Sequence, residues 1–190
     1  MYLTKTIPTF PRDINRFVAM EWPQMKQLVF AAMMGALAAI FQSAGGLLPG
    51  IGFLISPFAT LPILLGMLVS FRLGALAYVL TICLLFLIEP MELLIFPFTT
   101  GLLGLGLGWT FLVLKHRLGI IFVNGIILSI GICIPLYGLG FPVFGPSFSS
   151  SPNITMLLRI MGFSILYSWL WLELGLFLIR KIKLILLVSR

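Results

Sequence analysis

Six long apolar runs, separated by short polar or glycine- and proline-rich breaks, limit what this chain can fold into. They cover residues 28–44, 54–70, 73–88, 93–114, 118–137 and 154–179. Each has about the 17–25 residues an α-helix needs to cross a ~30 Å hydrocarbon layer, the third slightly short and the sixth slightly long. Only 9% of residues are charged and 61% are hydrophobic, whereas charged residues make up roughly 25% of a soluble domain. The expected fold is an all-α integral membrane protein. A bundle of six transmembrane helices occupies 28–190, and a cytoplasmic or interfacial segment occupies 1–27.

The net charge of +7 does not indicate a nucleic-acid partner, because the basic residues sit in short clusters between apolar runs, where they report topology. With the amino terminus inside, Lys5, Arg12, Arg16, Lys26, Arg72, Lys115, Arg117, Arg180, Lys181, Lys183 and Arg190 all fall on the cytoplasmic side. Arg159 alone falls toward the outer side, with the acids Glu89 and Glu92. The positive-inside rule therefore places both termini in the cytoplasm of a multi-pass protein of the cell's inner (plasma) membrane. About two dozen mixed residues precede the first run, so no cleavable targeting segment is expected. Within them Thr9-Phe10-Pro11 reads as a helix start. Ile14, Phe17, Val18 and Trp22 form one apolar face, and Pro23 ends it: either a surface helix or a solvated tail.

The breaks carry further expectations. Gly45-Gly46-Leu47-Leu48-Pro49-Gly50-Ile51-Gly52 is too rich in glycine and proline to be read as helix, and its lack of charge fits a loop folded back over the protein. Run two contains Pro57 and Pro62, and only Phe71-Arg72 separates it from run three. So short a break predicts an antiparallel hairpin. Glu89-Pro90-Met91-Glu92 marks the opposite end. Run four carries Gly101, Gly104, Gly106 and Gly108, which suit close helix contact; no strand precedes them, so they are not a nucleotide fingerprint. Residues Gly138 to Asn153 read as a loop.

Reactive groups are scarce. The one histidine, His116, stands between Lys115 and Arg117, and Cys83 and Cys133 lie inside apolar runs, where buried thiols are the simplest reading. No metal-ligand spacing, phosphate loop or serine–histidine pair is present, so neither an enzyme nor a cofactor is expected. Binding is better supported, because ionisable groups within membrane spans are functional candidates by default. Here they are Arg159 and Glu173, the latter either a neutral acid in the bundle or one paired through a helix neighbour, with no partner evident in the sequence. Arg159 either snorkels outward or turns inward to hold an anionic ligand group. Phe163 and Tyr167 continue its i, i+4 row. Tyr167, Trp169 and Trp171 cluster near mid-helix, in a packing or a ligand-stacking role. From position and chemistry the substrate-binding candidates are Arg159, Tyr167, Phe163, Asn153, Tyr137, Glu89 and Glu92. The first run carries small residues at Ala31, Gly35 and Ala39, with Ala32 and Ala36 beside them, a pattern that lets helices approach closely.

An alanine-rich first helix, a glycine- and proline-rich first outer loop, and the hairpin Leu61-Pro62-Ile-Leu-Leu-Gly66-Met-Leu-Val-Ser-Phe-Arg72-Leu-Gly74-Ala75 together resemble a known family. It is that of the substrate-binding S components of energy-coupling-factor (ECF) vitamin transporters, and the likeness covers most of 28–118. The resemblance implies a small protein that binds a vitamin-like small molecule from the outer side. It also implies separate ATPase subunits and a transmembrane coupling subunit, against which Ala31, Ala32, Gly35, Ala36 and Ala39 would dock, all within membrane lipid. The competing reading is a non-catalytic scaffold of a cell-envelope or division assembly. A lipid-modifying enzyme is the weakest reading, for want of a nucleophile or metal ligands.

Overall fold

A computed structural model of the chain describes residues 21–140 and 154–188, with side chains described to residue 181. The described residues form seven α-helices: α1 (Gln24–Leu47), α2 (Gly52–Ile55), α3 (Thr60–Val69), α4 (Phe71–Ile88), α5 (Thr100–Val113), α6 (Arg117–Cys133) and α7 (Ile154–Val188). No strand occurs among the described residues. Six stretches are long and apolar enough to cross a membrane: Gln24–Leu47, Gly52–Val69, Phe71–Ile88, Glu92–Val113, Arg117–Gly138 and Ile154–Lys181. This is the architecture of a multi-pass membrane protein, and the expected spans lie within a few residues of these.

Prolines shape the spans internally. Pro57 opens a 3-10 turn, Ser56–Ala59, that divides the second span into α2 and α3. Pro62 falls in the first turn of α3, where a missing N–H breaks no helical bond. The fourth span begins as two 3-10 turns, Glu92–Leu94 and Phe96–Phe98, before α5 starts at Thr100. Pro135 lies in a π turn, Ile134–Gly138, at the end of the fifth.

The expectation that helix stops at Gly45 is corrected. α1 continues through Gly45 and Gly46 to Leu47, and the positive φ that marks the turn belongs to Gly50. The paired glycines serve packing. A Cβ on Gly45 would stand 2.5 Å from Glu92 Oε1, and one on Gly46 would stand 2.8 Å from the Glu89 carboxyl carbon. The acids at one chain break thus occupy the room left by glycines at another.

The helices pack in the order α1, α4, α3, α5, α6, α7, so α3 sits between its hairpin partner α4 and α5. The predicted hairpin forms about Ser70, with Phe71 and Arg72 already in α4. Its arms close at Gly66, whose Cβ would lie 3.0 Å from Gly74 Cα. Met67 then fills the space above Gly74 on one side and Gly108 on the other, where added Cβ atoms would stand 2.4 and 2.1 Å from its side chain. The glycine series of run four therefore serves several neighbours: Gly104 meets Ile63, Gly108 meets Met67, and Gly106 makes room for Asn124 of α6. One apolar core joins α3, α5, α6 and α7 through Leu64, Leu107, Phe111, Leu128 and Leu172; a second joins α1 and α4 through Met34, Ala38 and Ala77.

Gly108→Val is expected to destabilise the protein by about 1–3 kcal/mol, the usual range for overpacking a filled interior, read as a lower unfolding midpoint in detergent. Gly119→Ala, where the nearest atom would be 3.6 Å away, should leave that midpoint nearly unchanged.

Candidate functional site

α7 makes its close backbone contacts with α6. Gly125 permits them, since a Cβ there would stand 2.9 Å from Ile165 Cγ1. Another face of α7 carries Ser164, Ser168, Trp171 and Gly175 in one line, by their 4-3-4 spacing. Gly175 lies against Phe111 of α5 and Leu64 of α3, so this line looks into the bundle. Ser164 and Ser168 are fully buried and Trp171 is 2% exposed. Neither hydroxyl has a hydrogen-bond partner among the described residues.

Other helical hydroxyls behave differently. Thr81 donates to Ala77 O at 2.8 Å, Thr110 to Gly106 O at 2.8 Å and Ser129 to Gly125 O at 2.8 Å. An unpaired buried polar group costs about 1–3 kcal/mol, so the two serines in line depart from the pairing of the other helical hydroxyls. Aromatic rings flank the line. Phe163 stacks on Tyr167 at 5.4 Å, and Tyr167 meets Trp171 edge-on at 6.1 Å. Trp171 meets Phe58 at 6.3 Å, and Phe58 meets Phe41 of α1 at 6.5 Å. The result is a row of hydroxyl and indole donors beside a wall of rings.

The sequence candidates divide around this face. Tyr167 is half-buried within it, and Phe163 is stacked at its margin. Arg159 is exposed on the same helix, and Asn153 lies outside the described residues. Tyr137 is half-buried in the π turn, with a buried hydroxyl that has no partner among the described residues. Glu89 is half-buried over Gly46. Glu92, 6% exposed, is engaged elsewhere: Gln42 Nε2 donates to its Oε2 at 2.6 Å. Thr100 Oγ1 donates to Gln42 Oε1 at 2.6 Å, and Thr60 Oγ1 donates to Thr100 O at 3.2 Å. This chain of bonds ties α1, α3, α5 and the turn before α5 together. Ser164, Ser168, Phe58 and Gln42 were not among the candidates. Two serines four apart in an uncharged run were the signal for the first pair; nothing local marks the others.

Other residues are also placed. Glu173 is paired with a neighbouring helix: Arg117 Nη1 lies 2.9 Å from its Oε1. Arg117 begins α6 and is 5% exposed instead of belonging to a solvated basic cluster. The antiparallel contact of Gly125 with Ile165 sets the register that brings the pair together. Trp169 turns away from Trp171 and is 41% exposed. Cys83 is exposed and Cys133 half-buried, both as free thiols. His116 is exposed. Among the described residues no group of three or more His, Cys, Asp or Glu is placed to hold a metal ion.

The two small-residue rows of α1 also separate. Ala31, Gly35 and Ala39 are buried within the chain, where Gly35 meets Ala77 O and Leu80 of α4 and its carbonyl accepts a bond from Thr81 Oγ1 at 3.1 Å. Ala32 is exposed and Ala36 half-buried. No protein-family model, no curated protein and no solved structure matches the chain.

Glu173→Leu should lower stability by about 3–5 kcal/mol, since it strips a buried guanidinium of its carboxylate. Arg117→Leu should do less damage, because Glu173 retains 32% exposure. Paired unfolding curves in detergent read the difference. Gln42→Leu removes both a donor to Glu92 and an acceptor for Thr100, and should lower stability by about 1–3 kcal/mol in the same assay.

Proposed function

We propose that this chain is the membrane-embedded substrate-binding subunit of a micronutrient uptake transporter of the vitamin-binding S-component kind. Its ligand enters from the outer side, both termini lie in the cytoplasm of the plasma membrane, and separate ATPase and coupling subunits supply the energy. The observation that carries the reading is the inward face of α7, where the buried Ser164 and Ser168 hydroxyls have no partner among the described residues and share the face with the rings of Trp171, Tyr167 and Phe58. Polar groups held unpaired within an apolar bundle suit a ligand that supplies the missing acceptors and stacks on the rings. The basic residues that cluster at one end support the orientation. On this reading Ala32 and Ala36 form the docking face for the coupling subunit, while Ala31, Gly35 and Ala39 hold α1 to α4.

Purification from the native membrane with associated proteins tests the reading, with mass spectrometry of what is retained. ATPase and coupling subunits with a tightly held aromatic small molecule are the expected outcome. Cell-envelope or division proteins in their place, with no small molecule, would overturn it in favour of a scaffold. In the isolated subunit, Ser164→Ala with Ser168→Ala should weaken ligand retention by roughly thirtyfold, as two lost hydrogen bonds of about 1 kcal/mol each require. The unfolding midpoint of the ligand-free protein should hold or rise, because two unpaired buried hydroxyls are gone. Ala32→Leu with Ala36→Leu should abolish copurification of the coupling subunit and leave ligand retention intact.

A further inference from the structure

The outward seam between α6 and α7 is not filled by the protein. Near Gly162 nothing lies within 4 Å of where a Cβ would stand, and around it opens a groove of about 600 Å³ lined by Leu118, Phe122, Ile165, Leu166 and Trp169. Phe122, Leu166 and Trp169 are 52, 62 and 41% exposed, so the groove faces the surroundings of the bundle. It lies on the side of α7 opposed to the Ser164–Ser168 line and is separate from that site.

The shape of the groove selects its occupant. Another helix, about 10 Å across with its side chains, packs closely where small residues let backbones approach. Here one glycine lies at the bottom, and large side chains form both rims. A single extended hydrocarbon chain fits between them. Charge at one end then selects the kind of chain. Leu118 lies in the first turn of α6, directly after the exposed Lys115 and His116 that lead into the helix. Along α7 the face of Leu166 and Trp169 continues through Glu173 to the exposed Arg180 and Lys181. Glu173 is paired with Arg117, so the cations of this end stand unopposed by it. The Lys181 ammonium lies 5.7 Å from the centre of the Phe177 ring, on the exposed surface of α7. Basic residues where an apolar interhelical groove meets the membrane surface suit the phosphate of an anionic lipid.

We propose that the α6–α7 seam binds an anionic glycerophospholipid, one acyl chain lying over Gly162 and the phosphate held among Lys115, Arg180 and Lys181. Native mass spectrometry of the purified chain, with phosphatidylglycerol and phosphatidylcholine of identical acyl chains in equal amounts, tests this. Phosphatidylglycerol should be retained preferentially. Lys115→Gln, Arg180→Gln and Lys181→Gln, all at exposed positions, should together erase the preference, each removing roughly fivefold. Gly162→Leu fills open space without strain and should reduce retention of both lipids. Equal retention of the two lipids by the unaltered protein would overturn the proposal, as would undiminished phosphatidylglycerol retention in Gly162→Leu. A Gly162→Cys variant that cross-links to another protein's helix in native membranes would overturn it in favour of a protein interface.

Discussion

Helices surrounded by hydrocarbon gain nothing from hiding apolar surface against one another, so closeness of fit and hydrogen bonding must hold them. The whole bundle follows from that constraint. Its contacts run through glycines and alanines: Gly66 against Gly74, Gly104 against Ile63, Gly125 against Ile165 and Gly35 against Ala77. Met67 sits between Gly74 and Gly108 and joins three helices with one unbranched side chain. A larger residue at any of these positions would separate backbones that have little else to hold them.

The same lack of water governs the polar side chains. Gln42, Glu92, Thr100 and Thr60 form one connected set across α1, α3, α5 and the turn before α5. Asn124 donates to Thr110, and Arg117 pairs with Glu173. Against that background the inward face of α7 stands apart, for its serines are as deeply buried and bond to nothing among the described residues. Asn124 Oδ1 also has no partner among them, but it belongs to an amide whose nitrogen is bonded twice. The contrast separates a part of the bundle whose polar groups are paired within the fold from a part whose buried hydroxyls are not.

α7 therefore carries two chemically distinct faces. Its inward line holds donors beside aromatic rings; its outward seam with α6 holds an apolar groove that leads toward cations. Close backbone contact with α6, rather than with several helices, leaves the outward seam open, while the inward line is buried in the bundle. The Arg117–Glu173 pair fixes the register between the two helices near the basic end.

Length and hydropathy alone determined the spans, because a helix that crosses hydrocarbon must be long and almost uncharged whatever it packs against. The α3–α4 hairpin was legible for a related reason, a break too short for anything but reversal. What Gly45 and Gly46 do was not legible, since a glycine that ends a helix and one that makes room for Glu89 and Glu92 look alike in one dimension. Nor was the pairing of Glu173 with Arg117, which depends on a register set by Gly125 and Ile165. The rows of α1 show the same limit: Ala31, Gly35 and Ala39 were recognisable as a packing surface, but their burial against α4, with Ala32 left exposed, was decided by helix rotation. Periodicity places residues on one face of a helix, and only the tertiary structure decides which way that face turns.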